Sequence, residues 1–196
     1  MSTMSLKSAW SAVRSRFSAR HQLIDLVHDL YAAIVEQARQ PVFYRDLGVP
    51  DVLDGRFDLI VLHMTAATRR LAKIGDDAKQ IEQGIMGLFF ADMDRSLREL
   101  GVGDLSVGKK IRNMAEAYYG RSQAYETALT SEDEDPLKEA LGRNVYGGTT
   151  VGEESLAKLA HYKRALTDAL ETWDGSRDDL QRAFRQATDA LSKADG

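Results

Sequence analysis

The sequence contains no cysteine and only three prolines in 196 residues. The absence of cysteine excludes disulfides, thiolate metal sites, cysteine nucleophiles and cysteine-bound iron–sulfur clusters. Long apolar runs are also missing. The longest stretch without Asp, Glu, Lys or Arg is residues 59–68, whereas a membrane-spanning helix needs about 20 apolar residues. The first twenty residues lack the continuous apolar block of a secretory signal. We therefore expect a globular chain in the cytoplasm.

Charge is unevenly distributed along the chain. The 26 Lys and Arg and 30 Asp and Glu give a net charge of −4, which offers no reason to expect nucleic-acid binding. Residues 1–20, however, carry four cations and no acid. Their apolar residues recur at spacings of four, three and four, which places them on one stripe of a helix. This pattern predicts a basic amphipathic segment that rests on an anionic membrane. The membrane-contact candidates are Leu6, Lys7, Trp10, Val13, Arg14 and Phe17.

Other interpretations of residues 1–20 stay open. The same stripe can dock on the body of the protein, or the segment can remain frayed, as chain termini often do. Arginine and serine without acids are also typical of an organellar transit peptide.

From residue 21 onward, apolar residues recur at helical spacing and no segment alternates as a strand does. We predict an all-α protein, a single bundle of six to seven helices with mostly antiparallel neighbours. Residues 57–74 are apolar on more than one face, which predicts a central helix. Residues 41–55 contain two prolines and two glycines and are predicted to form an ordered loop. The predicted organisation is the segment 1–20, a domain at 21–147 and a helical extension at 148–196 packed on that domain.

The sequence contains only weak matches to catalytic, phosphate-binding and metal-binding motifs. Gly103 to Lys109 has the spacing of a phosphate-binding loop, but Lys110 stands where a Ser or Thr should reach magnesium. A helix–turn–helix joint explains the two glycines better. His28 or His63 with carboxylates could serve a metal-dependent helical-bundle enzyme. We expect instead a surface position for His28 and a structural, hydrogen-bonded one for His63.

Several blocks of the sequence, taken in order, resemble bacterial members of the ubiquinol–cytochrome c chaperone family. The resemblance covers residues 28–147 and, more weakly, residues 156–173. The blocks that carry it are Gly48–Asp51, Gly55–Asp58, Val61–His63, Phe89–Asp94, Leu97–Asp104, Val107–Arg112, Met114–Arg121 and Ala140–Gly147.

The resemblance implies an assembly chaperone for respiratory complex III that is not an enzyme and needs no cofactor. Its mitochondrial relatives bind newly made cytochrome b and work with a small partner protein, which a bacterial member need not have. The client is then cytochrome b or another complex III subunit. The implied location is peripheral, at the inner face of the membrane, or on the matrix side in a eukaryote. An interaction module with a different client is the alternative.

A chaperone for an apolar client needs an exposed apolar patch with a polar rim. The aromatic residues of the 41–55 region lie outside a clear helical period, so we expect the client to bind there. The alternative is that Phe43 and Tyr44 fold back as core plugs. The client-binding candidates are Phe43, Tyr44, Val49 and Val52, and Arg56, Asp92 and Asp94 are predicted to form a polar rim or internal ion pairs.

Overall fold

The computed structural model describes residues 6–74, 76–147 and 149–193, and the side chains of residues 21–74, 78–147 and 149–191. Every regular element in these ranges is a helix, so the all-α prediction is confirmed. Seven helices have eleven residues or more, and one has five. They are α1 Leu6–Ala38, α2 Pro41–Arg45, α3 Leu53–Ile74, α4 Asp76–Glu99, α5 Asp104–Leu129, α6 Asp135–Val145, α7 Glu153–Leu170 and α8 Arg177–Lys193.

Helix α3 lies at the centre of the bundle and packs against α1, α4, α5, α6 and α7. Every residue from Leu59 to Thr68 is buried. This is the stretch that lacks charged side chains, so all of its faces can accept neighbours without desolvating an ion. The prediction of a central helix here is confirmed.

The C-terminal helices share one hydrophobic core with the rest of the chain. Helix α7 packs against α3 and α6, while α8 packs against α7 and α1. Leu166 on α7 and Phe184 on α8 belong to the same buried cluster as Leu62 on α3.

Helix α1 approaches α4 closely at one point. A Cβ atom added to Gly84 would lie 2.8 Å from both methyl groups of Val27. Glycine therefore lets the two backbones come together here, as small residues do at tight helix crossings.

The structure has no break at residue 20. Helix α1 runs continuously from Leu6 to Ala38, because this stretch contains neither glycine nor proline. The side chains of the membrane-contact candidates lie outside the described residues. Those candidates are Leu6, Lys7, Trp10, Val13, Arg14 and Phe17.

The region 41–55 is not wholly a loop, which corrects the prediction. Pro41 begins the short helix α2, since the fixed φ of proline suits the first turn of a helix. Helix α3 begins at Leu53, four residues earlier than the apolar period indicates. A Cβ atom on Gly55 would lie 2.0 Å from the carbonyl oxygen of Pro50. Glycine at this position allows the connecting loop to lie directly on the first turn of α3.

The segment Gly103–Lys109 is the start of α5 after a tight turn, as the helix–turn–helix interpretation predicts. Gly101 has a φ of +77°, and the Val102 amide donates to the Leu97 carbonyl over 3.0 Å. This is the glycine-terminated helix end that the sequence indicates.

Candidate functional site

An open groove of about 350 Å³ lies between the loop that precedes α3 and the second half of α4. Its most exposed apolar side chains are Val52 and Leu100, which are 57% and 66% exposed. Met93, a buried residue of the core, also lines the groove. Single exposed apolar residues are ordinary, but here two of them line one groove. The other lining residues are Ala38, Arg39, Tyr44, Asp51, Leu53, Arg56, Ile60, Asp92, Ser96 and Glu99.

Charged groups line the rim of this groove. The Arg56 Nε atom lies 2.7 Å from an Asp51 carboxylate oxygen, and this hydrogen bond lowers the pKa of Asp51. The Tyr31 hydroxyl donates to Asp92 over 3.0 Å. Arg56 and Asp92 thus form part of the rim, in agreement with the predicted rim or ion-pair roles.

The groove continues on the α2 side into a shallower depression of about 540 Å³. Arg39 and Arg45 line it and are exposed. Among the described residues, no carboxylate lies within ion-pair distance of either guanidinium. These two cations are therefore available to a partner.

The structure separates the four client-binding candidates into two pairs. Tyr44 and Val52 line the groove, and the Tyr44 hydroxyl donates to the Ala38 carbonyl over 2.9 Å. Phe43 and Val49, in contrast, are 0% and 2% exposed. A side chain without accessible surface cannot contact a client, so the expectation is corrected for Phe43 and Val49.

Phe43 and Tyr44 differ because both lie on the short helix α2, which directs neighbouring side chains to different sides. The Phe43 ring packs edge-on against the rings of His63 and Tyr162, with centroids 5.4 and 5.0 Å apart. The core-plug interpretation therefore applies to Phe43, and Tyr44 remains half-buried at the groove.

His63 has the structural role that its position on the apolar helix predicts. It is fully buried, and both ring nitrogens have partners. Nδ1 lies 2.7 Å from the Leu59 carbonyl oxygen, and Nε2 lies 2.7 Å from the Tyr162 hydroxyl. Because a carbonyl only accepts, Nδ1 carries the proton and Nε2 accepts from Tyr162. Burial lowers the pKa of His63 to about 3, so the ring is neutral.

Hydrogen bonds connect His63, through Tyr162 on α7, to two further helices. Gln37 on α1 donates to the Tyr162 oxygen over 3.0 Å and to Thr188 on α8 over 2.9 Å. This buried network joins α1, α3, α7 and α8. Its neutral, mutually bonded groups indicate a structural joint, not a catalytic site.

Lys163 on α7 is the buried cation of the core, with 1% of its surface exposed. Its ammonium donates to the Leu62 carbonyl over 2.8 Å and to the Thr65 hydroxyl over 2.9 Å. It also lies 5.3 Å from the centroid of the Tyr125 ring. Burial lowers the pKa of Lys163 to about 7, because no carboxylate bonds to the ammonium within the described part of the chain.

Asp58 on α3 forms the buried ion pair of this region. Its carboxylate lies 2.7 Å from an Arg121 nitrogen, and the Arg121 guanidinium stacks 5.2 Å from the centroid of the Phe57 ring. Burial raises the pKa of Asp58 to about 7, and the Arg121 charge opposes this shift. The pair joins α3 to α5.

A second cavity of about 470 Å³ lies between α3, α5 and α7, with Lys163 among its lining residues. Ion pairs already satisfy the charges at its mouth. Arg69 bonds to Glu126 over 2.9 Å and to Glu171 over 2.5 Å, and Lys73 bonds to Glu171 over 2.8 Å. These pairs link α3 to α5 and to the end of α7, and the cavity is also lined by Tyr119, which is 65% exposed.

The residues proposed for a metal-dependent enzyme do not come together. His28 is exposed on α1, while both nitrogens of His63 are occupied within the core. Across the side chains that the structure describes, no three His, Asp or Glu residues are grouped as metal ligands would be.

Sequence reasoning missed the two buried charges, although it had a signal for one. Lys163 follows Leu159 by four residues and precedes Leu166 by three, which places it on the core stripe of α7. An ionisable residue in such a stripe indicates burial. Asp58 precedes the apolar stretch on α3 and gives no comparable signal, because its partner Arg121 is 63 residues away in the sequence.

Comparison with known proteins assigns this helical bundle to a class of assembly chaperones. The family model of the ubiquinol–cytochrome c chaperone matches residues 45–178, a range that includes most of the groove. The chain belongs to this family.

A solved structure supports the assignment. The crystal structure of the Cbp3 homolog from Brucella abortus is 31% identical, with a TM-score of 0.75 over 86% of this chain and 93% of that chain. Ubiquinol–cytochrome c reductase complex assembly factor 1 of Xenopus laevis is 25% identical over 74% of this chain and 72% of its own length. The Mus musculus protein of that name is 23% identical over 74% of this chain. This chain spans about half of the mouse protein, 49%.

The length and hydropathy of the described helices decide whether any of them could span a membrane. None of them combines the length and the apolar character that crossing a bilayer requires.

Proposed function

We propose that this protein is a non-enzymatic assembly chaperone of respiratory complex III and that its client is newly made cytochrome b. Membership of the ubiquinol–cytochrome c chaperone family supports the first part. The relatives that carry the name of complex III assembly factors support it as well. A small partner protein, as in the mitochondrial relatives, is compatible with this function.

The observation that carries the proposal is the groove between the loop that precedes α3 and the second half of α4. Val52 and Leu100 expose apolar surface on it, and Arg39 and Arg45 lie beside it without ion-pair partners in the described structure. A short apolar client segment that also carries a carboxylate would bury Val52 and Leu100. Its carboxylate would neutralise the cations Arg39 and Arg45. Such a contact combines an apolar centre with a polar rim, which is the usual anatomy of a protein interface.

The expected location follows from the client. A chaperone that binds a membrane subunit works at the membrane surface, at the cytoplasmic face in a bacterium or the matrix face in a mitochondrion. The stripe of residues 6–17 remains a proposed contact with anionic lipid. Removing residues 1–20 should then weaken sedimentation with anionic vesicles.

Gene replacement tests the function. A strain that lacks the gene should contain less assembled complex III on native gels, with unchanged transcripts of its subunits. Re-expression of the wild-type chain should restore the complex. A chain with Val52→Ser and Leu100→Ser should restore it poorly, because the groove has lost its exposed apolar groups.

The matched control changes two exposed isoleucines outside the groove, Ile24→Ser and Ile74→Ser, which are 46% and 42% exposed. This chain should restore complex III as the wild type does. Normal complex III in the deletion strain would contradict the proposed function. Equal restoration by both double variants would contradict the assignment of the groove.

A further inference from the structure

The joint between α4 and α5 carries a fully exposed leucine. Leu105, in the first turn of α5, is 100% exposed. Successive helical residues are about 100° apart, so the buried residues Val107 and Tyr118 lie on the opposite side of α5. Leu105 therefore points away from the bundle and adds nothing to its core.

Cations share the outer face of this joint. Lys109 lies one turn beyond Leu105 and Arg112 lies two turns beyond it, so the three side chains form one stripe. Lys110 lies about 140° round the helix from Leu105 and off this stripe, and all three cations are exposed. No described carboxylate is within ion-pair distance of any of them.

The surrounding charge is positive in an otherwise acidic chain. Residues 98–112 contain four cations and two acids, while the whole chain has a net charge of −4. One of the two acids, Asp104, is paired with Arg98. The other is Glu99, at the end of α4.

The joint holds this surface in a defined position. Arg98 pairs with Asp94 within α4 and with Asp104 at the start of α5. The glycine-terminated end of α4 closes through the hydrogen bond from Val102 to Leu97. Leu105 is therefore presented by two helix ends and not by a long loop.

We propose that the α4–α5 tip, defined as residues 101–112, is a membrane-contact site for an anionic lipid surface. Leu105 enters the apolar edge of the leaflet, and Lys109 and Arg112 lie among the headgroups. Each basic residue near an anionic leaflet adds to the affinity, and an apolar side chain on the same face adds a second contribution.

A protein partner fits this surface less well than a membrane does. Protein interfaces are depleted in lysine, and their strongest contacts lie in well-packed pockets. Leu105 is instead fully exposed, and Lys109 and Arg112 follow it on the same stripe. Long cationic side chains that keep their charge near water beside a buried apolar group are typical of a membrane surface.

Membrane contact at the tip also places the groove near its proposed client. This link, and no other part of the proposal, rests on the proposed function. Leu100, at the edge of the groove, is the residue directly before the tip. A tip in contact with the leaflet brings the groove to the membrane surface, where a membrane-protein client is found.

Vesicle co-sedimentation of the purified full chain tests the proposal. The wild type should sediment with vesicles of phosphatidylcholine and phosphatidylglycerol, and much less with phosphatidylcholine alone. Leu105→Ser should weaken binding by about tenfold, since one leucine side chain no longer leaves water. Lys109→Gln with Arg112→Gln should weaken it by roughly 30-fold.

Matched variants control for general effects. Ile74→Ser removes an exposed apolar side chain from the end of α3. It lies about 27 Å along α3 from Arg56, which lines the groove together with Leu100 beside the tip. Arg143→Gln with Arg185→Gln removes the same charge from exposed positions on α6 and α8. Both controls should bind as the wild type does.

A site-specific probe gives an independent readout. Because the chain has no cysteine, Leu105→Cys and Ile74→Cys each provide a single thiol for an environment-sensitive dye. The dye at residue 105 should shift to the blue on anionic vesicles, and the dye at residue 74 should not.

Several results would overturn the proposal. They are failure of the wild type to bind anionic vesicles, equal binding by the tip variants and the controls, and an unshifted dye at residue 105. If residues 1–20 were the whole anchor, the tip variants would bind normally. The purified chain is tested without client, so the outcome does not depend on the cytochrome b assignment.

Discussion

Replacement of Lys163 by methionine should change how the stability of the protein depends on pH. The folded-state pKa of Lys163 is about 7, whereas an unfolded lysine titrates near about 10.4. Between these values the unfolded chain binds more protons than the folded chain. Lys163 therefore makes a contribution to the free energy of unfolding of the wild type that rises with pH across this window.

The magnitude follows from one proton. Full linkage of one group corresponds to about 1.4 kcal/mol per pH unit, which is roughly 2 kcal/mol between about pH 8 and pH 9.5. Unfolded tyrosines have a pKa of about 10 and begin to titrate near the upper end of this window, whereas burial raises the pKa of Tyr146 to about 12. The tyrosine contribution has the opposite sign but is the same in the wild type and the variant, so the difference between the two profiles isolates Lys163. Methionine has a similar volume and no charge, so the variant should lack this slope.

Urea unfolding at a series of pH values measures the effect. The wild type and the exposed-site control Lys110→Met should show the same slope, and Lys163→Met should be flatter by about one proton. At neutral pH, Lys163→Met should be at least as stable as the wild type, because an uncompensated buried charge is costly. Parallel pH profiles for Lys163→Met and the wild type would refute the account of Lys163 as a buried amine.

Two further predictions concern packing. Gly55→Ala should lower the unfolding free energy by roughly 3 kcal/mol, since its Cβ would meet the Pro50 carbonyl oxygen. Gly120→Ala has open space and should gain about 0.5–1 kcal/mol; equal effects would contradict this packing. Phe43→Ala should cost about 3–5 kcal/mol, whereas exposed Val52→Ala should stay within about 0.5 kcal/mol. Thermal and denaturant unfolding measure both pairs, and an unchanged melting temperature for Phe43→Ala would reject its place in the core.

The helical architecture was accessible from the sequence because it depends on local patterns. The apolar stretch at residues 59–68 predicts a central helix, and Gly101 predicts the end of α4. The burial of His63 with hydrogen-bond partners also follows from its place in that stretch. Its actual partner Tyr162, however, is 99 residues away, and no local pattern identifies such a pair.

The groove could be predicted only in part. The sequence places Tyr44 and Val52 in an irregular region, and both line the groove. It cannot separate them from Phe43 and Val49, because the direction of each side chain depends on how α2 packs against α3 and α7. Leu100 joins the groove only through the tertiary approach of α4. Prolines at positions 41 and 50 likewise suggest a loop, although the first of them begins a helix.

The most direct test of the central claim is photo-crosslinking from the groove in native membranes. A photoreactive amino acid at position 52, in a chain that still supports complex III assembly, should form a crosslink to newly made cytochrome b. The same group at position 74, exposed but outside the groove, should not. Crosslinks to cytochrome b from position 74 but not from position 52, or from neither, would contradict the groove as the client-binding site.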